Sequence, residues 1–586
     1  MTSHNDQKTD YNSVEMKHIF QVTLPLKNEL EDTLSKTTNR YRLSWRAIGA
    51  FVALSLSWAV TTFAVVGPNS SIGNIIADIP GEESKATWIA NAGLFCLGYY
   101  PHAGFLGVTL PTFNGTFSDR YGKKWFVMGG ALSGMVGAIV SGTAKNVETV
   151  IGGQAIGGVG GTMTIVGVAA TMEIVPAKYR GAMIAAMATV NASAGVITGT
   201  LAFAACIQNG LGWRWGFYIL AIFYGVVFAA VGVLYNPPAT RLRRAQPFKE
   251  LLKSVDYIGI ILLALGGALL TIPLVWGGSL SAWDSAHVIP FLIIGPLLMI
   301  TFGIYEWKGR ADGILHHEFF NSISFPVLLV YGFVDGMLLY GTSLYIPNQM
   351  RQMYTTEPLG VAIGYLCFNG PIIAFVMTKT NNIRISLLVA SLGLTLFCGL
   401  ATLANPRNLA LFEGMLAAIG FLTSATQVIP TAGVGLVVPH HLIATGNTVL
   451  GTARALGGAL GFAIFTTVYN AKTAISIPAA VIPALNKVGI SPQMAPTIIT
   501  VVTNAPQALA QVPDLTPESI DEIIYASRTG ASMGFTNVWF CFMAASAVCF
   551  ILSFFLTDVK DMMTNHVESE LEPTRTVTKD VAPVST

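Results

Sequence analysis

The chain has 586 residues, of which 52% are hydrophobic and only 11% charged, with a formal net charge of +2 and a mean hydropathy of +0.58. A soluble chain is about a quarter charged, so this composition excludes an ordinary water-soluble globule and leaves most of the surface facing lipid. The small net charge is distributed by membrane topology and gives no basis for a nucleic-acid partner.

Residues 1–45 are polar and lack a cleavable signal pattern, which predicts a cytoplasmic tail followed by a first apolar run that is itself the insertion signal. Apolar runs of about 20 residues, enough to cross a roughly 30 Å hydrocarbon core, then recur along the chain. In lipid each must be a helix, because its backbone amides find partners only within the segment. The runs predict spans near 46–66, 88–113, 125–144, 147–170, 181–206, 214–235, 257–276, 287–305, 324–346, 359–378, 384–404, 408–434, 446–469 and 534–556. Span 88–113 exceeds the length a membrane needs and contains Pro101 and Pro111, which predicts a tilted or kinked helix. Residues 557–586 read as a disordered cytoplasmic tail.

Of 33 Lys and Arg, only Lys85, Lys145, Arg214, Arg351, Arg407, Lys472, Lys487 and Arg528 fall on one side of these spans, and Arg454 alone falls inside one. The excess on the other side marks it as cytoplasmic and supports an even number of spans. The basic connection 236–255, with Arg241, Arg243, Arg244, Lys249 and Lys253, divides the chain. Residues 46–235 are expected to form an N-terminal six-helix bundle, 236–323 the basic loop and two linker helices, and 324–556 a C-terminal six-helix bundle. This all-α integral membrane 6+2+6 plan suggests two bundles around a central cavity. Within the second bundle, 470–533 is the one long outward loop, with Pro-rich and acidic stretches suited to a short amphipathic helix. The six cysteines lie in apolar runs and show no disulfide or metal-ligand spacing. Asn69-Ser70-Ser71 is a candidate glycosylation sequon close to the bilayer.

The most specific motif is Gly115-Thr116-Phe117-Ser118-Asp119-Arg120-Tyr121-Gly122-Lys123-Lys124, in the short inward loop after the second span. Gly115 permits close helix approach and Gly122 a tight turn. Asp119 suits a cation or a neighbouring helix N-terminus, and Arg120, Lys123 and Lys124 hold the loop at the anionic leaflet. The segment resembles the G-x-L-x-D-R-x-G-R-K loop of the major facilitator superfamily, where it latches the two bundles in one alternating-access state. Asp256 and Gly259, then Trp276-Gly277-Gly278 and Trp283, resemble the linker pair of the fourteen-span drug:proton antiporters. Glu173-Ile174-Val175-Pro176-Ala177-Lys178-Tyr179-Arg180, Gly212-Trp213-Arg214-Trp215 and Arg454-Ala455-Leu456-Gly457-Gly458-Ala459-Leu460-Gly461 resemble the fungal trichothecene-efflux-pump group. That resemblance covers about residues 45–560 and implies proton-driven export of a hydrophobic metabolite or drug. Two departures stand out: Gly153 occupies the place before Gly157-Gly158-Val159-Gly160 where drug antiporters carry an Arg, and Gly195–Gly199 lacks the proline of their span-5 signature.

Asp335 lies about 17 Å along its helix from Ser324 at 1.5 Å per residue, near mid-membrane. A carboxylate there costs roughly 2.5–3.5 kcal/mol to insert, so it should face the bundle interior; it is a candidate proton carrier or a structural hydrogen-bonding group. Arg454 is expected either to pair with Asp335 or bind an anionic substrate, or to snorkel to the inner face. Gly457, Gly458 and Gly461 suit close helix packing. Asn91, Phe95 and Tyr99, with Tyr340 and Gln349, are candidate cavity residues for an apolar substrate, a composition that interfacial aromatic belts share.

No phosphate-cradling Gly-x-x-x-x-Gly-Lys-Ser/Thr loop, His-Glu-x-x-His pair or nucleophile constellation is present, so no enzyme, cofactor or metal is expected. The energy source is then an ion gradient, worth about 2.3 kcal/mol per charge per 100 mV. The expected partners are a small amphipathic or hydrophobic substrate, protons and the bilayer, with a monomer sufficing. Export across the plasma membrane is the leading expectation, a vacuolar or vesicular membrane being compatible; a proton-coupled siderophore importer and a non-transporting sensor are the alternatives on the same fold.

Overall fold

Every long element is a helix, as the apolar runs require. The structure, a computed structural model, describes residues 45–79, 89, 117–118, 122–175, 179–237, 256–276, 282–286, 288–309, 313–355, 357–367, 382–439, 442–488, 495–504, 509 and 516–557. Residues from Gly49 onward form one compact unit; of the other unit, 1–48, only the start of the first helix is described. In chain order the helices are α1 Trp45–Ser70, α2 Ile72–Asp78, α3 Lys123–Gly142, α4 Val147–Thr164, α5 Val166–Ile174, α6 Arg180–Val190, α7 Thr198–Gln208, α8 Trp213–Leu234, α9 Tyr257–Trp276 and α10 Ile289–Lys308. They continue with α11 Ser324–Gln349, α12 Pro358–Cys367, α13 Ile383–Ala401, α14 Leu409–Val437, α15 Ile443–Val488, α16 Ala495–Asn504 and α17 Pro517–Ser553. A π-helical turn, Asn191–Ile197, joins α6 to α7 without a break.

Eleven of these helical stretches are long and apolar enough to cross a membrane. The three further expected spans are 88–113, almost wholly outside the described residues; 257–276, seen as α9 with its shorter apolar stretch Tyr257–Leu270; and 359–378, of which α12 covers the first part. Helix starts follow local chemistry: Asn146 accepts from Thr149 N, Asn382 from Ile385 N, and Thr516 from Ser519 N with a proline in the first turn.

Glycine decides how closely the helices approach. A methyl carbon on Gly130 would stand 2.6 Å from Gly160 O, and one on Gly137 would stand 2.6 Å from Gly153 O, so α3 and α4 touch backbone to backbone. Gly153, where an Arg was expected by analogy, thus sits in a contact with no room for a side chain. The π turn contains most of the span-5 glycine segment, and a methyl on Gly195 would stand 2.6 Å from Ala59 O of α1.

The expected outward loop 470–533 is mostly helix and requires correction. α15 runs 46 residues, about 69 Å at 1.5 Å per residue and more than twice the hydrocarbon thickness. α17 starts at Pro517 and packs along it: Ser476 Oγ donates to Gly530 O at 2.7 Å, and Lys487 pairs with Glu522 at 3.1 Å. Packing of Ile477, Val481 and Leu485 with Ala531 and Ile523 in one buried cluster keeps the segment ordered, which turn-forming residues in the sequence did not suggest. The short α16 supplies the helix foreseen there, burying Ala495, Ile498 and Val502. Helices α9 and α10 pack on each other, with Gly295 against the Leu269 and Leu270 backbone, and α9 also packs on α15.

Candidate functional site

The strongest concentration of buried polar chemistry lies where α11, α14 and α15 meet. Asp335 is fully buried. Its Oδ2 accepts from Arg454 Nε of α15 at 3.0 Å, and its Oδ1 from Thr426 Oγ1 of α14 at 2.8 Å. Arg454 also donates from a terminal guanidinium nitrogen to Gln427 O at 3.1 Å. Its side chain retains 11% exposure against 0% for Asp335. Of the expectations for Arg454, pairing with Asp335 is the one the geometry matches, rather than snorkelling.

The helices can bring these groups together because their surfaces are bare. A methyl on Gly336 would land on Arg454 O, one on Gly457 on Phe333 O, and one on Gly461 would stand 2.8 Å from Met337 Cβ. A methyl on Gly458 would meet the Tyr340 ring, which leaves Tyr340 half-buried beside this interface. Gln349, expected to line the cavity, is 1% exposed and committed elsewhere: its Oε1 accepts from Trp539 Nε1 at 2.9 Å, and its amide nitrogen contacts Met353 Sδ at 3.4 Å. It ties α11 to α17. Asn91, Phe95 and Tyr99 lie outside the described residues, as do Gly115, Asp119 and Arg120. Asn69 closes the last turn of α1 and the sequon's Ser71 is buried, so the sequon does not stand in a surface loop.

The described part of the inward-loop motif is organised by charge. Gly122 has φ 95°, the left-handed region that turns the loop into α3. Lys123, buried, pairs with Glu173 of α5 at 2.6 Å, and Lys124 donates to Gly232 O of α8 at 2.7 Å. Two sequence segments that carry the family resemblance are therefore in contact with each other. At the opposite end Asp78 accepts from Arg214 at 2.6 Å and from Trp213 Nε1 at 3.0 Å, which gives the Gly212–Trp215 motif a structural role. These hydrogen bonds, Arg214 first, hold the Asp78 carboxyl below its ordinary 3.8.

The N-terminal and C-terminal halves meet at both ends. At the end bearing the basic loops, Trp58, Val168, Met172, Ile184 and Met187 cluster with Val428 and Ile443, and Asn447 Nδ2 reaches Met172 Sδ at 3.4 Å. At the other end Gly73 lies against the Arg351 guanidinium. Thr426 and Gln427 were not singled out from the sequence, and Glu173 was named only as part of a family-resembling segment, without a partner; hydroxyls, main-chain carbonyls and end-of-span acids are too common there to signal one.

The family described as fungal trichothecene efflux pump (TRI12) matches residues 26–585. The trichothecene efflux pump TRI12 of Fusarium sporotrichioides is 24% identical over 577 residues, covering 94% of this chain and 93% of that protein. The MFS-type transporter prx5 of Penicillium rubens is 28% identical over 386 residues, covering 60% and 66%. The crystal structure of the human organic anion transporter MFSD10 (TETRAN) has a similar fold, with a TM-score of 0.50 at 13% identity over 86% of this chain and 98% of that one. The chain therefore belongs to the fungal trichothecene efflux pump (TRI12) family and is an integral membrane transporter of the major facilitator superfamily.

Proposed function

We propose that this transporter exports hydrophobic or amphipathic toxins, of the class to which the trichothecenes of its relatives' names belong, in exchange for protons that bind at Asp335. The observation that carries the reading is the double commitment of Thr426: its hydroxyl lies 2.8 Å from Asp335 Oδ1 and 2.9 Å from Thr423 O, and has one proton for the two acceptors. With Asp335 ionised, Thr426 donates to it and Arg454 balances the charge. With Asp335 protonated, the acid donates to Thr426 Oγ1, whose own proton turns to Thr423 O. Both states keep their hydrogen bonds without moving a helix, which lowers the cost of exchanging a proton in a buried site.

Protonation removes the counter-ion of Arg454 while its bond to Gln427 O remains. Exchange requires that substrate and proton weaken one another's binding, so the substrate binds while Asp335 is ionised and leaves when it is protonated, and linkage makes that coupling reciprocal. The glycine-lined contact between α11 and α15 transmits the change as relative movement of two helices already in backbone contact. The same logic needs no cofactor and no metal.

The test is accumulation of a labelled trichothecene in cells with and without the protein and with and without a protonophore, followed by the variant Asp335→Asn. The expected result is lower accumulation with the protein, abolished by the protonophore and by the variant at normal membrane expression. Full pH-dependent export by Asp335→Asn refutes the assignment of the proton to this residue, and export indifferent to the protonophore refutes antiport.

A further inference from the structure

A pair of acids lies in the linker helices, at the end that carries the basic loops. Asp256 stands at the start of α9 and is 6% exposed; Glu306 lies in the last turn of α10 and is 3% exposed. Asp256 Oδ1 accepts from Gly259 N at 3.0 Å and Tyr305 OH at 2.9 Å. The Glu306 oxygens accept from Ile314 N at 3.2 Å and Leu315 N at 2.8 Å. Asp256 Oδ2 is buried and has no hydrogen-bond donor. It faces Glu306: a methyl carbon on Gly259 would meet Asp256 Oδ2 and, at 2.7 Å, Glu306 Oε1. Gly259 is thus the residue that makes room for both carboxyl groups.

Two ionised carboxylates in this position would leave a buried acceptor without a partner beside a like charge, both of which are costly. No cation compensates among the described residues. Tyr257 on α9 is exposed, Tyr305 is the donor already named, and Lys308 makes no ion pair with either acid. On the segment after α10, His317 Nε2 contacts Glu306 O at 3.0 Å, and His316 lies 4.0 Å from Glu318. The bases of α15, which packs on α9, are placed elsewhere: Arg454 on Asp335, Lys487 on Glu522, and Lys472 exposed.

We propose that Asp256 and Glu306 hold one proton between Asp256 Oδ2 and Glu306 Oε1, and that this proton makes the pair a pH-sensitive clamp joining the two linker helices to the chain that enters α11. The proton turns one carboxylate into an acid, supplies the missing donor and removes one of the two like charges. Its loss sets the two carboxylates against each other, at the point where Glu306 holds the backbone of Ile314 and Leu315. The site goes beyond the export reading and is independent of Asp335. Because the folded pair keeps a proton that unfolded carboxyls have already lost by neutral pH, the folded state binds more protons there, and stability falls as pH rises from the unfolded carboxyl range to the titration of the pair.

The test uses the purified full chain in detergent, with no transport step, so its outcome is independent of the export mechanism. Unfolding midpoints are measured from about pH 4, where unfolded carboxyls titrate, to about pH 8, together with infrared absorption of protonated carboxyl groups at neutral pH. The wild type is expected to lose stability as pH rises, by no more than tenfold in the folding equilibrium per pH unit for one proton, and to show a protonated-carboxyl band. Asp256→Asn, whose amide donates permanently, is expected to lose both the slope and the band, and Glu306→Gln the band. If Asp256→Asn does not fold, Glu306→Gln and the wild-type band carry the comparison. Absence of the band in the wild type, its survival in both variants, or an unchanged slope in Asp256→Asn overturns the proposal. So does a midpoint that rises with sodium or magnesium chloride but not with choline chloride, which would put a metal cation in the proton's place.

Discussion

Replacing Arg454 by leucine removes the charge that balances Asp335 and leaves a fully buried carboxylate with Thr426 as its remaining side-chain donor. At 3.0 Å and an effective dielectric of about 20, the lost attraction is about 5 kcal/mol. The mutant has an escape, which is to protonate the acid. From a reference carboxyl value near 3.9, that costs about 4 kcal/mol at pH 7 and about 1.5 kcal/mol at pH 5. The cheaper route sets the outcome, so Arg454→Leu should destabilise by about 4 kcal/mol at neutral pH and by far less in acid. The assay is unfolding of purified protein at both pH values, repeated with Asp335→Asn. In that background the substitution strands no carboxylate and removes a guanidinium that is already without its counter-ion, so it should cost no more than about 1 kcal/mol, the worth of the lost bond to Gln427 O. An equal cost at both pH values, undiminished by Asp335→Asn, would show that Arg454 acts through packing and that the ion pair does not govern the site.

Gly457→Ala drives a methyl onto the Phe333 carbonyl oxygen and should cost 1–3 kcal/mol or more, about the usual range for overpacking; Gly451→Ala on the same helix meets open space and should be neutral or stabilising by up to about 1 kcal/mol, both read as unfolding midpoints. Lys123→Met should destabilise by up to about 3 kcal/mol, below the fully buried range because Glu173 keeps 21% exposure. The charge swap Lys123→Glu with Glu173→Lys should recover part of the folded yield, and no recovery would deny the pair a role in joining α3 to α5. The Asp78 carboxyl lies below its ordinary 3.8 through Arg214 and Trp213, so its stabilisation is fully present above the unfolded value and is lost as pH falls through the folded one. Asp78→Asn should flatten that part of an acid unfolding curve, and an unchanged curve would mean that the contact carries no stability.

The linear order of apolar runs and basic loops was enough to foresee an all-helical membrane protein, because both signals are local: a run must satisfy its own amides, and a lysine must stay near water. The glycine and charge spacing of the loop ending at Lys124 was enough to suggest the superfamily. Asp335 and Arg454 were legible as the costly charges within the membrane, and Gly457, Gly458 and Gly461 as packing positions, since few alternatives are open to such residues there. What the sequence could not decide was who meets whom. Thr426 completes the Asp335 site from 91 positions away, and its hydroxyl looks like many others along the chain. Gln349 carried the polarity of a cavity residue but spends it on Trp539, a choice made by the packing of α17. The sequence reading ended the eighth span at residue 305, which left Glu306 outside as an unremarkable acid; folding buries it beside Asp256 and the backbone of 314–315. The segment 470–533 looked like a loop because its residues are mixed in polarity, yet two long helices support each other there. Local chemistry determines which segments become helices and which side of the membrane their ends prefer. Partnership between buried polar groups depends on distances across the bundle, and those exist only once the helices have packed.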